Sequence, residues 1–409
     1  MSQFSKDNAV SQIFTHQPVM LQQLENLCNL NSGSDNLPGL AQVAAMLKNL
    51  FLPIVDCATY KPLLPYLSWD MQGLPTQQPL GDCLFLQKRP DLTSRILLCG
   101  HMDTVYGSNH PFQKVTWLDQ KHLNGPGVAD MKGGLLVILH ALSAFEQLPC
   151  ATNIGWDVLI TSDEELGSPS SNQLFAELAA RYQAALVYEP STTPEGCFAK
   201  NRKGAGKFTL IATGKAAHAG RALDQGRNAI LCLAETLLAI EALHKSAETG
   251  ISINIAKIAG GQALNIVPDK AVAQFEVRIT EPEQALWVED ALQKLLNDKQ
   301  RQHPDYTLSL QGGFHRPVKK VNEKTMQLFQ RIQAQGQKLG LSCIWEDSGG
   351  CCDGNNLSYY GVPVIDTLGV RGGKIHSPEE FIIVDSLAER AALSFLILED
   401  LATQGDFFR

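Results

Sequence analysis

Short apolar segments alternate with helix-like segments through the first half of the chain and again near its end. This alternation limits the possible fold more than any other feature. SRILLCG (94–100), IGWDVLITS (154–162) and AALVYE (184–189) are short, nearly continuous apolar runs, which is typical of strands buried on both faces. GLAQVAAMLKNLF (39–51) and DMKGGLLVILHALSAF (130–145) have the length and apolar spacing of helices. The pattern predicts an α/β fold with a mainly parallel sheet covered by helices on both faces.

A different pattern begins near residue 204. GKFTLIATG alternates apolar and polar residues like a half-exposed strand, and the following segments predict the order strand, helix, strand, strand, helix, strand. This βαββαβ order describes a small ferredoxin-like α+β domain. After about residue 315 the first pattern resumes, ending in the helix-like DSLAERAALSFLILEDLA. We predict one α/β domain formed by 1–203 and 315–409, interrupted by an inserted α+β domain at 204–314.

Composition and charge exclude several classes of protein. The chain has 409 residues, of which 44% are hydrophobic and 19% charged, as in globular proteins. Its net charge is −8 and it has no run of lysine or arginine, so we expect neither a nucleic-acid partner nor a membrane partner. We find no apolar run of the roughly 18 residues that a membrane helix needs, and no apolar signal core in the first twenty residues. Ten cysteines scattered among apolar neighbours indicate reduced thiols, so we predict a cytoplasmic protein.

Polar side chains follow the predicted strands. His101 and Asp103, in GHMDTV, are two residues apart and point the same way if the chain is extended. Such a carboxylate can fix the tautomer of a metal-binding imidazole, although a loop histidine and a capping aspartate would look the same. Asp130 lies in the glycine-rich GPGVADMKGG at the start of a predicted helix. It is either a helix cap or a site residue that the glycines allow the backbone to approach closely.

Two adjacent acids, Glu164 and Glu165, follow the strand IGWDVLITS. Neighbouring residues in an extended chain point to opposite sides, so these carboxylates can do different work. One can bind a metal ion while the other takes a proton from water, although a solvated acidic loop is the alternative. Glu189 ends the next strand, and His376 lies in a glycine-rich loop before the last helix.

These positions are expected to converge. In an open α/β sheet, ligands bind just beyond the carboxyl ends of the strands. Two imidazoles and several carboxylates suit two Zn²⁺-like ions. The carboxylates would repel one another without cations among them. The sequence therefore predicts a metal centre at this edge of the sheet.

Six motifs in order resemble the dinuclear zinc amidohydrolases, the family that includes glutamate carboxypeptidase, acetylornithine deacetylase and succinyl-diaminopimelate desuccinylase. The motifs are GHMDTV, GPGVADMKGG, TSDEELGS, YEPS, GKAAHAG and IHSPEE, and the resemblance spans roughly residues 95–385. It implies an enzyme with two Zn²⁺ ions per subunit, for which Co²⁺ or Mn²⁺ could substitute.

The resemblance implies five metal ligands. One ion is bound by His101 and Glu189, the other by Glu165 and His376, and Asp130 bridges the two.

Three further features of the metal centre are implied in the same way. Asp103 orients His101 from behind. Glu164 is the general base and acid, taking a proton from the attacking water that lies between the ions. The peptide bond between Asp130 and Met131 is cis, which is costly outside proline and marks a functional constraint.

For the inserted domain the resemblance implies a homodimer contact within 204–314 and three residues that act on the substrate. His218, in GKAAHAG, reaches the active site of the second copy and stabilises the oxyanion. Asn265 and Arg278 contact the substrate, and the planar fork of arginine donors suits a carboxylate. From the residues alone, His218 would be a turn residue and Arg278 a surface residue.

The details of the motifs favour one branch of the family. Glutamate at position 189 favours carboxypeptidases and deacylases over aminopeptidases, which carry aspartate there. The segment around Cys351 and Cys352 is similar to glutamate carboxypeptidases, and Asn355 stands where the desuccinylase has an arginine.

We therefore predict a zinc-dependent hydrolase, like glutamate carboxypeptidase, that cleaves an amide bond of a small substrate, an N-acyl amino acid or short peptide. An N-acetyl-amino-acid deacetylase of the acetylornithine type is the alternative, because it would share the metal site. A non-catalytic relative that binds a peptide would lack the base or a ligand, and here every expected position is filled. The acyl group and the amino acid remain open.

Overall fold

The computed structural model describes residues 6–246, 250–404 and 407. The chain forms two compact units. The first comprises Met1–Leu64, Pro79–Asn201 and Lys319–Arg409, and the second comprises Pro65–Gln78 and Arg202–Val318. The predicted insert, 204–314, lies within the longer segment of the second unit.

Within the described residues, the helices and strands alternate along much of the chain. The helices are α1 (Lys6–Thr15), α2 (Gln17–Cys28), α3 (Leu37–Phe51), α4 (Gly133–Phe145), α5 (Ser171–Leu178), α6 (Ala229–Ser246), α7 (Glu283–Gln302), α8 (Glu323–Lys338), α9 (Asp353–Tyr359) and α10 (Ser386–Gln404). The strands are β1 (Cys57–Lys61), β2 (Tyr66–Trp69), β3 (Pro75–Gln78), β4 (Cys83–Lys88), β5 (Arg95–His101), β6 (Thr116–Trp117), β7 (His122–Asn124), β8 (Gly155–Thr161), β9 (Ala184–Val187), β10 (Phe198–Arg202), β11 (Gly204–Thr213), β12 (Ser252–Gly260), β13 (Lys270–Ile279), β14 (Thr307–Arg316), β15 (Trp345–Ser348), β16 (Val364–Ile365), β17 (Gly372–Gly373) and β18 (Phe381–Ile383).

The central sheet of the first unit has the strand order β1-β4-β8-β5-β9-β16. Strands β8, β5, β9 and β16 are parallel, whereas β4 and β1 add antiparallel strands at one side. Every residue of β5 and β8 is buried, which explains their continuous apolar sequences. Alternate side chains of these strands enter two separate hydrophobic clusters, one on each face of the sheet. The predicted α/β fold with a mainly parallel sheet is confirmed.

The parallel strands end at one edge of this sheet. His101 is the last residue of β5, β8 ends at Thr161 shortly before the glutamate pair, and β9 ends two residues before Glu189. Because these strands are parallel and in register, the polar residues that follow them lie at the same edge of the sheet, beyond the carboxyl ends of the strands.

The segment before α4 departs from helical geometry. Asp130 has φ −113° and ψ 90°, and Met131 has φ −136° and ψ 36°, so α4 begins only at Gly133. The expectation that Asp130 starts this helix was therefore wrong by one turn. The peptide bond between Asp130 and Met131 is cis, as the resemblance implied.

The second unit has the order β11, α6, β12, β13, α7, β14. Its antiparallel sheet, ordered β12-β13-β11-β14, packs one face against α6 and α7 around a core of its own. The sequence analysis did not predict that the hairpin β2–β3 belongs to this unit. The side-chain amide of Gln274, on β13, donates a hydrogen bond of 2.9 Å to the carbonyl of Trp69 in that hairpin.

Two helical stretches, 37–54 and 128–145, are long and apolar enough to cross a membrane by length and composition. The expectation that no apolar stretch reaches this length was therefore wrong. In the second stretch, 89% of the residues are buried inside the protein, because α4 packs between the sheet and α10. A core helix of a two-sided sheet needs the same composition as a membrane helix, so these stretches are weak evidence for a membrane partner.

Candidate metal centre

The carboxylate of Asp130 lies at the middle of the polar cluster. One of its oxygens, Oδ1, is 3.1 Å from Nε2 of His101. The other oxygen, Oδ2, is 3.3 Å from Nε2 of His376. Each oxygen of this carboxylate therefore faces its own imidazole.

A second carboxylate accompanies each imidazole. Oε1 of Glu189 is 3.9 Å from Nε2 of His101, and Oε2 of Glu165 is 3.1 Å from Nε2 of His376. Donor atoms of His101, Asp130 and Glu165 lie within 4.8 Å of one another, close enough to hold a metal ion. The structure thus brings together all five residues that the sequence analysis proposed as ligands.

The carboxylates of this cluster stabilise the protonated form of its two histidines, and the histidines stabilise the ionised form of Asp130. Hydrogen bonds to Asp130 and Glu165 raise the pKa of His376 to about 11. Burial would lower the pKa of His101, but the hydrogen bonds to Asp103 and Asp130 outweigh burial and raise it. Burial would raise the pKa of Asp130, but its two imidazole partners hold that pKa below its usual range. Burial and the nearby charge of Asp130 raise the pKa of Glu165. The cluster therefore favours positive charge between its carboxylates.

Asp103 is fully buried and contacts both His101 and the glutamate pair. Nδ1 of His101 is 2.9 Å from the backbone carbonyl of Asp103 and 3.4 Å from its carboxylate, so the carbonyl is the nearer acceptor. The Asp103 carboxylate instead accepts hydrogen bonds from the backbone N–H of Glu164 (3.3 Å), the backbone N–H of Glu165 (3.1 Å) and the hydroxyl of Ser34 (2.9 Å). Asp103 therefore fixes the backbone of the glutamate pair as well as supporting His101.

Glu164 is half-buried beside Glu165. Its negative charge is one of those that raise the pKa of His101, which places it in the electrostatic environment of the cluster. The proton-transfer role proposed from the sequence is compatible with this position.

Glu380 is a site residue that the sequence analysis did not single out, although it ends the motif IHSPEE. Its carboxylate is buried and accepts hydrogen bonds from the backbone N–H groups of Gly127 (3.3 Å), Ala129 (3.0 Å) and Asp130 (3.1 Å). The hydroxyl of Tyr106 lies 2.9 Å from the same carboxylate. Burial and the charge of Asp130 raise the pKa of Glu380 to about 7. The only sequence signal is an acidic residue close to His376, which has no specificity by itself.

The three proposed substrate contacts lie in the second unit. His218 and Asn265 are exposed and occupy two segments joined by backbone hydrogen bonds, including Ala219 N–H to the Asn265 carbonyl at 2.9 Å. Arg278 lies on β13, where its guanidinium is 2.9 Å from the carboxylate of Glu276.

Cys352 and Asn355 cap helix α9. The Cys352 sulfur accepts a hydrogen bond from the Gly354 N–H at 3.3 Å, and the Asn355 side-chain oxygen accepts one from the Cys352 N–H at 3.0 Å. All ten cysteines lie in the described residues, and none of them forms a disulfide there. Asn355 therefore has a local structural role at the start of α9.

The family model for peptidase family M20/M25/M40 matches residues 97–400. The chain belongs to this family. The resemblance drawn from the six motifs is confirmed, and this M20 protein is a hydrolase of the metallopeptidase class.

Two curated relatives represent the branches already considered. The M20 protein is 27% identical over 405 residues to carboxypeptidase G2 from Pseudomonas sp. (strain RS-16), covering 97% of this chain and 92% of the relative. It is 29% identical over 334 residues to the succinyl-diaminopimelate desuccinylase of Psychrobacter arcticus, covering 76% of this chain and 79% of the relative.

Solved structures share the fold of the M20 protein. An M20 family metallo-carboxypeptidase from Sulfolobus solfataricus superposes with a TM-score of 0.71 at 16% identity, covering 94% of this chain and 99% of that one. A tripeptidase from Staphylococcus aureus gives a TM-score of 0.72 at 22% identity, covering 95% and 99%. At this level of identity the likeness shows the fold alone.

Proposed function

We propose that this M20 protein is a zinc-dependent carboxypeptidase that hydrolyses the amide bond of an N-acyl amino acid or a short peptide. The geometry of Asp130 carries the proposal, because its two oxygens face separate imidazoles at 3.1 and 3.3 Å. A carboxylate in that arrangement can join two metal ions, which is the requirement for a dinuclear hydrolase.

The donor set fits two Zn²⁺ ions, because imidazole nitrogens and carboxylate oxygens are zinc ligands. We assign one ion to His101 and Glu189, the other to Glu165 and His376, and the bridge to Asp130. Bound there, zinc would polarise the scissile carbonyl and lower the pKa of a water molecule. Co²⁺ and Mn²⁺ accept the same ligand types and are possible substitutes.

Glu164 is the general base in this proposal. It takes a proton from the attacking water as the new carbon–oxygen bond forms, and returns it to the amine nitrogen as the carbon–nitrogen bond breaks. Its neighbour Glu165 stays among the metal ligands. The hydrogen bonds from both backbone N–H groups to Asp103 support the proposal, because they hold the two side chains in a fixed relation.

We assign substrate recognition to the second unit. His218 of a second copy would donate a hydrogen bond to the developing oxyanion. Asn265 and Arg278 would contact the substrate, and Arg278 would bind its terminal carboxylate through paired N–H donors. The ion pair between Arg278 and Glu276 supports this assignment, since it holds the guanidinium in a defined orientation before substrate arrives.

An amino-acid deacetylase of the acetylornithine type is the second candidate, because the same metal ligands would serve it. The match to carboxypeptidase G2 over 97% of the chain favours the carboxypeptidase.

The deciding experiment is a substrate panel assayed with zinc-, cobalt- or manganese-reconstituted protein. Released amino acids would be measured by mass spectrometry from N-acyl-glutamates, N-acylated dipeptides and N-acetyl-ornithine. We expect preferential cleavage of substrates with a C-terminal glutamate or similar acidic residue, and loss of that preference in Arg278→Leu. Preferential release of ornithine would support the deacetylase, and the absence of turnover despite tight metal binding would overturn both.

We also propose that the protein forms a homodimer through residues 204–314. Leu231 and Leu238 lie seven residues apart on α6 and are 66% and 72% exposed, and Ile258 is exposed on the outer strand β12. Such an apolar surface is typical of an interface between copies. Light scattering should give twice the mass of one chain, and Leu231→Glu with Leu238→Glu should give a monomer. A monomeric parent protein would contradict the proposal and the role of His218.

We place the enzyme in the cytoplasm. Its cysteines form no disulfide in the described residues, which suits a reducing compartment. Fractionation of the source cells with an antibody to the protein would test this location.

A further inference from the structure

Glu380 connects the two loops that carry Asp130 and His376. On one side, its carboxylate accepts hydrogen bonds from the N–H groups of Gly127, Ala129 and Asp130. On the other side, Glu380 is four residues from His376 in the same loop, between β17 and β18. A single buried side chain thus spans the gap between two of the proposed ligands.

Backbone and side-chain contacts reinforce this connection. The Glu380 carbonyl accepts hydrogen bonds from the side chain of Asn124 (2.7 Å) and the N–H of Gly125 (3.3 Å). The hydroxyl of Tyr106 lies 2.9 Å from the Glu380 carboxylate and 2.8 Å from the carbonyl of Ser377. Tyr106 therefore holds the loop that carries His376 and Glu380 at two points, one on the backbone and one on the Glu380 carboxylate.

The local backbone forms a receptor for this carboxylate. Gly127 has φ +74°, a left-handed conformation that glycine adopts without strain, and a side chain there would meet Thr104 at 2.9 Å. Successive N–H groups that converge from such a turn make an anion-binding concavity. Burying a carboxylate close to Asp130 is unfavourable unless its hydrogen bonds compensate, and the four donors around Glu380 supply that compensation.

We propose that Glu380 is a positioning residue that fixes Asp130 relative to His376 and thereby sets the affinity for the metal ion assigned to Glu165 and His376. It acts through these ligands and does not itself contact metal or substrate. The proposal rests on the metal assignments made above under the proposed function.

Glu380→Gln is the decisive variant. Glutamine keeps the size of the side chain but replaces one acceptor oxygen with an NH₂ group, which would face backbone N–H donors. Partners of this kind typically contribute about 10–100-fold to metal affinity. We expect calorimetric titration of the metal-free variant with Co²⁺ to show one ion bound with parental affinity and the other weakened about 10–100-fold. The Co²⁺ absorption bands of the weakened site should also shift.

Two further variants separate positioning from folding. Glu379→Gln makes the same chemical change one residue away, at an exposed side chain, and should bind both ions like the parent. Tyr106→Phe removes one of four hydrogen bonds while keeping the carboxylate, so it should fold and weaken only the same ion, by a smaller factor.

The outcomes are distinguishable. If the parent protein binds no metal, the proposed function fails. If the parent binds two ions and both Glu380→Gln and Tyr106→Phe bind two ions with parental affinity, the positioning role of Glu380 is overturned, even if the melting temperature falls. If Glu380→Gln does not fold, the Tyr106→Phe isotherm decides.

Discussion

Glu164 and Glu165 are adjacent in the chain but have different surroundings. The Glu165 carboxylate lies 3.1 Å from Nε2 of His376, and its side chain is 6% exposed. Glu164 is half-buried. It is not one of the three residues, His101, Asp130 and Glu165, whose donor atoms lie close enough together to hold a metal ion. The backbone N–H groups of both donate to the Asp103 carboxylate, so one buried side chain fixes the backbone of the pair.

Glu164→Gln should therefore lower kcat without removing metal. General-base catalysis contributes about 10²–10⁴-fold, so we expect a loss of that order, measured on the best substrate of the panel. Metal content by atomic emission should stay at the parental value. Glu177→Gln, at an exposed position on α5, is the matched control and should leave kcat unchanged. A Glu164→Gln enzyme within tenfold of the parent would contradict the assignment of the base.

His140 offers a test that is independent of the metal. It lies on α4 with Nε2 2.8 Å from the side-chain oxygen of Gln23, as a packed helix histidine does. Burial, and then the charge of His16, lower the pKa of His140 to about 4. The unfolded chain therefore takes up a proton near pH 6.5 that the folded chain resists until about pH 4.

The free energy of unfolding should consequently fall as the pH is lowered from about 6.5 to 4. His140→Gln should remove about 1–3 kcal/mol of this pH dependence, measured by urea denaturation at several pH values. If the free energy of unfolding falls equally with pH in parent and variant, His140 does not titrate as described. His110→Gln, at a histidine that lies outside the helices, serves as the comparison.

At the scale of single residues, the sequence was informative where a side chain is itself the donor or acceptor. His101, Asp130, Glu165, Glu189 and His376 follow strands or glycine-rich turns, and the structure brings them together. The partners of Asp103 and Glu380 could not be predicted, because most of them are backbone N–H groups. Every residue except proline has a backbone N–H, so the sequence does not indicate which of these groups will donate to a given carboxylate.

Among the elements, α8 shows how a local signal fixes a boundary. Asn322 precedes the helix, and its side-chain oxygen accepts hydrogen bonds of 2.9 Å from both the N–H and the hydroxyl of Thr325. Asparagine at this position satisfies a helix N–H that would otherwise have no partner. Helix α8 accordingly begins at Glu323, directly after this cap.

Asn322→Ala should destabilise the protein by about 1 kcal/mol, because the N–H and hydroxyl of Thr325 lose their acceptor. Asn322→Ser, which can still accept a hydrogen bond, should retain most of the stability. Chemical denaturation of the two variants measures the difference. Equal losses for alanine and serine would mean that packing, not capping, determines the contribution of this residue.

The apolar stretch VPVIDTLG (362–369) contributes only Val364 and Ile365 to a strand, β16. Asp366 follows the strand, and its carboxylate binds the buried ammonium of Lys319 at 2.7 Å. Thr367 follows with φ +64°, which is incompatible with a strand. The pairing partner is 47 residues away, so local periodicity could not reveal it.

In the whole molecule, the two units and the parallel sheet follow from the alternation of apolar runs, because buried strands and amphipathic strands have different periods. The order of strands was not predictable in the same way. The antiparallel strands β1 and β4 come from a stretch whose mixed composition gives no clear period.

Lys319 is the residue at which the chain re-enters the first unit after the second one, and its side chain forms a buried ion pair there. Its ammonium donates to Asp366 at 2.7 Å and to the carbonyl of Ala199 at 3.2 Å, and both ionic side chains are about fully buried. Lys319 thereby joins Ala199, from the segment before residue 202, to Asp366, from the segment after residue 318.

Lys319→Met should destabilise the first unit by about 3–5 kcal/mol, because it leaves the Asp366 carboxylate buried without its partner. Lys319→Met combined with Asp366→Leu should recover much of this loss, since an apolar pair needs no compensation. Calorimetric unfolding of the parent, Lys319→Met, Asp366→Leu and the double variant gives the coupling between the two positions. Additive effects of the single changes would show that the pair is not coupled.

The second unit is built from two separate segments of the chain, one of which is the hairpin from Tyr66 to Gln78. More than a hundred residues separate it from the rest of that unit, yet its backbone is bound by Gln274 on β13. An exchange of the second unit between related chains by a single recombination event would leave the hairpin behind. The recipient would combine the hairpin of one lineage with the sheet of another. Exchanges that carry both segments should therefore yield folded hybrids more often than exchanges of Arg202–Val318 alone.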